Sequence, residues 1–115
     1  ADWSEAIRLN QQFADAHNAI AWLWATCPDS DCRNGPKAIE SATTACELSD
    51  WKDWSLLDTL AAAHAENADF DSAVTWETKS LELAPESERN SIQERLDLYK
   101  SGKPYRVNML PSRAK

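Results

Sequence analysis

An all-α fold of short antiparallel helix pairs, stacked in chain order, is predicted by three features of this 115-residue sequence. Helical periodicity recurs along nearly its whole length, and Pro and Gly stand between or at the edges of the periodic stretches. Two glycines are also too few for the tight turns of a β-protein. The length corresponds to one domain with a modest core.

The first complete helix is expected from Ala14 to Thr26, with Ala16, Ile20, Leu23 and Trp24 on one stripe at steps of four, three and one. Upstream, Ala6, Ile7 and Leu9 followed by Phe13 and Ala14 suggest one helix ending as the next begins, so Trp3 to Leu9 is expected to form the last turns of a separate, partial helix. Pro28 to Pro36 is dense in turn formers and predicts a loop. Pro36 then suits the first turn of a second helix, where its missing N–H costs nothing, and Ala38, Ile39, Ala42, Ala45 and Cys46 carry it to about Leu48. Asp50 to Asp53 connects to a third helix, Trp54 to Asn67, with Leu57, Leu60, Ala61 and His64 on its inner face. A fourth helix takes Phe70, Ala73, Val74, Glu77 and Leu81 and ends before Pro85. Ile92, Leu96 and Tyr99 stripe a fifth, which Gly102 caps and Pro104 terminates.

Composition excludes several functions. A mean hydropathy of −0.60 with no long apolar run argues against membrane insertion. A net charge of −7 argues against nucleic acid as the main partner, since phosphates require a positive field. That charge is unevenly placed: residues 1–99 hold 19 acids and 7 bases, while residues 100–115 hold five bases and no acid. Cys27, Cys32 and Cys46 lack metal-ligand spacing, so no metal site is expected and the cysteines are read as thiols. Pairing of Cys27 with Cys32 or with Cys46 is the alternative in an oxidising compartment.

Internal repetition follows. Leu57, Leu60, Ala61 and His64, then Asp69, Phe70, Ala73 and Val74, then Ser80, Leu81, Leu83 and Pro85 resemble the tetratricopeptide repeat (TPR) of about 34 residues. His17, Ile20, Ala21 and Trp24 with Ala38, Ile39, Ala45 and Leu48 repeat the pattern, with five residues added within Cys27 to Gly35. The runs Ala21 to Asp29, Ala45 to Leu48, Leu57 to Ala63 and Leu96 to Arg106 together resemble a C-terminal TPR module found in many large bacterial multidomain proteins. The resemblance implies a TPR-like helical domain over residues 1–106: one repeat at about 14–50, a second at about 54–85 and a capping helix at about 86–101. Residues 107–115 follow as a basic tail.

The resemblance further implies a non-catalytic protein-interaction unit without cofactor. In TPR proteins the first helices of each pair line a concave groove, and the positions facing it here would be Asn18, Trp22 and Ala25 with Asp58, Ala62 and Glu66. Trp22 as an apolar anchor beside two carboxylates suits a basic or amphipathic segment of a protein or peptide partner. His17 and His64 occupy inward positions with no nucleophile tied to them and are assigned to packing. A second expectation is self-assembly into head-to-tail oligomers or filaments. Trp3 and Ile7 would form an open apolar edge, and Lys103, Tyr105, Arg106 and Arg113 a basic arm for the next copy's acidic surface. In the alternative to assembly, that arm folds back on its own body.

Overall fold

A computed structural model describes the backbone of residues 3–107 and the side chains of residues 9–107. Five α-helices make up the fold: α1 (Trp3–Thr26), α2 (Gly35–Leu48), α3 (Trp54–Glu66), α4 (Phe70–Leu83) and α5 (Glu86–Lys100). Among the described residues there is no strand. Each helix packs on its neighbour in sequence, and α1 also packs on α3.

Local chemistry explains the boundaries. Asn34, Asp53 and Asp69 cap α2, α3 and α4, their side-chain oxygens accepting from the backbone N–H groups of Lys37, Ser55 and Ser72. Gly102 ends α5 in the left-handed region at φ 76°, and the Lys103 N–H donates to the Leu98 carbonyl at 3.0 Å. The other left-handed residues carry side chains: Asp50 and Trp51 between α2 and α3, and Ala68 between α3 and α4. Trp51 is held by its N–H on the Cys46 carbonyl at 2.9 Å and by its ring, stacked on Trp76 at 5.2 Å.

Two expectations are corrected. The partial helix at Trp3 to Leu9 and the helix beginning at Ala14 are one continuous helix of 24 residues. Pro85 stops α4, whereas Asn10, Gln11 and Gln12 include neither Pro nor Gly, so nothing interrupts the hydrogen-bond ladder before Ala14. The cysteines read as thiols are also divided: Cys27 and Cys32 form a disulfide, and Cys46 alone is free and buried. The disulfide closes the inserted loop, where Ser30–Cys32 forms a single 3₁₀ turn. The Arg33 guanidinium donates to the carbonyls of Cys27 and Pro28, satisfying backbone acceptors just past α1.

The core is rich in alanine. Ala21 and Ala25 of α1, Ala38, Ala42 and Ala45 of α2, and Leu57, Leu60, Ala62 and Ala63 of α3 form one buried cluster. Ala61 and Ala65 on another side of α3 join Ala73 and Tyr99 in a second. Small side chains let helix axes approach closely, and α3, buried over most of its length, is the shared wall. Ser80 is fully buried and its hydroxyl donates to the Trp54 carbonyl at 2.8 Å, tying α4 to the start of α3. The fold therefore exposes to one side the surface where α1, α3 and α5 meet.

Candidate functional site

Three helices supply that surface: α1 contributes Asn18 and Trp22, α3 contributes Asp58 and Glu66, and α5 contributes Arg95. Asn18, Trp22, Asp58 and Arg95 line a cavity of about 320 Å³ together with Trp54, Ser55, Thr59 and Glu88. The Asn18 Oδ1 atom is buried there with no hydrogen-bond partner among the described residues.

At the floor lies a network of ionisable groups. Arg95 grips Asp58 with two parallel hydrogen bonds, Nε to Oδ1 at 2.9 Å and Nη2 to Oδ2 at 3.1 Å. Glu77 of α4 is fully buried beneath them, its Oε2 3.5 Å from the Arg95 Nε. Burial, reinforced by the adjacent Asp58 carboxylate, pushes the Glu77 carboxyl up to about 10, with Arg95 opposing. Glu77 is thus protonated at neutral pH, leaving one cation, Arg95, facing one anion, Asp58. Burial also raises the Tyr99 hydroxyl, with Glu77 adding to the effect.

Above this floor the chain's own C-terminal segment, Lys103–Val107, lies extended. The Tyr105 ring sits 5.8 Å from Trp22, and the Arg95 guanidinium packs against both rings, at 5.2 Å from Tyr105 and 5.8 Å from Trp22. Arg106 pairs with Glu66 at 2.7 Å, and Arg33 approaches the same carboxylate at 3.5 Å. The Val107 N–H donates to the Thr26 carbonyl at 2.9 Å. Val107 also helps to wall an apolar cavity of about 300 Å³ with Ala19, Trp22, Leu23, Thr26 and Cys27.

Of the sequence-predicted contact residues, Asn18, Trp22 and Asp58 share one cavity, and Glu66 lies further along α3, on Arg106. Ala62 is corrected: it is 1% exposed and belongs to the core, because the small side chains of α1 and α3 close over it. Asp58 and Glu66 were expected as free charges for a basic partner. Both are already neutralised, by Arg95 and by Arg33 with Arg106. Among the residues expected to assemble copies, Tyr105 and Arg106 are half-buried on their own groove and Lys103 is exposed. The side chains of Trp3 and Ile7, and the whole of Arg113, lie outside the described residues.

Sequence reasoning missed Arg95 and the role of Glu77. Glu77 falls on the apolar stripe of α4 with Phe70, Ala73 and Val74, and a carboxyl at such a position signals a buried partner. Arg95 carried no equivalent signal.

Searches against models of known protein families, curated proteins and solved structures gave no match. No described helix is long and apolar enough to cross a membrane.

Proposed function

We propose that the chain is a non-catalytic interaction scaffold of TPR-like construction. In this scheme α1 with α2 and α3 with α4 are two successive repeats, α5 is a closing helix, and the face between α1, α3 and α5 takes an extended segment of a protein or peptide. The single observation carrying this is the seating of Lys103–Val107: an aromatic ring on Trp22, a cation on Glu66 and a backbone N–H on Thr26. These three contacts recognise an aromatic residue followed by a basic one in extended backbone, and they hold such a segment by side chains and main chain together. The chain's own segment is then a resident occupant that a partner of similar chemistry displaces.

The test uses the full chain with Tyr105→Ala and Arg106→Ala, which loosens the resident segment without touching a helix. A synthetic peptide spanning residues 103–107 should bind this variant, quenching Trp22 fluorescence, and bind at least tenfold more weakly once Trp22→Ala is added. Absence of binding to a variant whose helical circular dichroism is intact sinks the proposal.

A second reading is exchange of the same segment between copies, which would generate head-to-tail oligomers. The charge asymmetry favours it, since the five bases after Tyr99 follow a stretch in which acids outnumber bases. Oligomers built this way dissolve in high salt and disappear with Arg106→Ala.

A further inference from the structure

Ahead of Ala14, whose methyl group is buried in the core, the described part of α1 lies on the surface. Each residue from Leu9 to Phe13 is exposed, so this stretch of helix gains little from packing on the body. An unsupported helix of that length is marginal in water. Along the same helix Leu9, Phe13, Ala16, Ile20 and Leu23 follow one another at steps of four, three, four and three, the spacing of a coiled-coil seam. All five are exposed, Phe13 at 57% and Leu23 at 48%.

From these features we infer that α1 is a pairing surface for a second copy of this chain, the two helices lying antiparallel about a two-fold axis near Ala14. In that register Phe13 of each copy packs over Ala16 of the other, a large ring facing a methyl group, and Leu9 packs against Ile20. The exposed stretch Leu9–Phe13 of each copy then lies along Ala16–Ile20 of its partner.

Charge permits this arrangement. Although the chain carries −7, Asp15 is the one charged residue between Leu9 and Thr26, and it accepts from the Gln11 amide at 3.1 Å beside the seam. Two copies therefore meet across a nearly neutral face. The four large side chains expose on the order of 350 Å² per copy, below the roughly 800 Å² per partner of a standard stable interface, so the dimer forms in the micromolar range or weaker. Its two-fold symmetry uses up the surface on both partners, and growth stops at two.

The pairing does not use the Trp22, Glu66 and Thr26 contacts of Lys103–Val107; of the seam residues, Leu23 alone borders the cavity that Val107 walls. Sedimentation equilibrium of the full chain from 10 µM to 1 mM tests it. A reversible monomer–dimer equilibrium is expected, weakened at least tenfold by Phe13→Glu and also by Ala16→Leu. The second substitution adds apolar surface yet collides with Phe13 of the partner copy. Joining Phe13→Ala to Ala16→Phe exchanges large for small across the seam and should restore association. A monomer throughout the range overturns the inference and leaves the face to a different protein. Stronger association of Ala16→Leu overturns it too, as does open-ended growth abolished by Arg106→Ala.

Discussion

Arg95 holds both carboxylate oxygens of Asp58, at 2.9 and 3.1 Å, from a helix 37 residues further along the chain. The contact fastens α5 to α3, and it also determines where the C-terminal segment lies, because the other side of the same guanidinium supports Tyr105. A closing helix and a groove-filling segment thus share one cation.

Loss of that cation should be severe. Arg95→Met leaves the Asp58 carboxylate buried without a partner and should destabilise the fold by about 3 kcal/mol in urea titration. Adding Asp58→Asn should recover part of the loss, since the uncompensated charge is then gone. A single variant as stable as the parent contradicts the assigned geometry.

Glu77 predicts an unusual pH dependence. Its carboxyl ionises near 4.5 in the unfolded chain and near 10 in the folded one. Between those values the unfolded state binds fewer protons than the native state, so this group's contribution to stability is complete below pH 4.5 and is lost as pH rises toward 10. Glu77→Gln keeps the size and neutrality of the protonated carboxyl and removes the titration. The variant should match the parent at pH 4 and exceed it by at least about 1 kcal/mol at pH 8. Parallel stability curves for the two proteins would contradict a protonated Glu77.

Ala68 is exposed and sits at φ 63°, where a Cβ crowds the backbone. Replacement by Gly should raise stability by about 1 kcal/mol, with unfolding midpoints in denaturant as the measure. The same change at Trp51, also left-handed, should instead destabilise, because it deletes the stack on Trp76.

Reduction of the Cys27–Cys32 disulfide releases a small loop and should cost about 2 kcal/mol. The α-helices are retained, since neither cysteine lies within one of them, and far-ultraviolet circular dichroism should change little below the new unfolding midpoint.

Much of the fold was legible in the residues themselves. Pro28 and Pro85 stop helices, Pro36 opens one, Gly102 closes one, and each acts through local sterics that need no tertiary context. The continuity of α1 was harder to read, because the apolar residues around Leu9 and Phe13 suit either an ending or a passage, and only the missing breaker at Asn10–Gln12 decides. In the groove, Trp22, Asn18 and Asp58 were expected from the positions that the repeat resemblance implies. The neutralisation of Asp58 and Glu66 was not legible, because Arg95, Arg33 and Arg106 arrive from distant parts of the chain, and spacing carries no information about such partners.

The lone thiol of Cys46 has a practical consequence. It is buried in the alanine core, and burial, with Asp53 and Glu47 nearby, pushes its pKa up to about 12. While the domain is closed it is sealed from water and almost never a thiolate, so it reacts with an alkylating reagent only when the core opens. With the other two cysteines bonded to each other, the rate of labelling reports how often and how long the core opens, and the native chain measures its own breathing without an added dye.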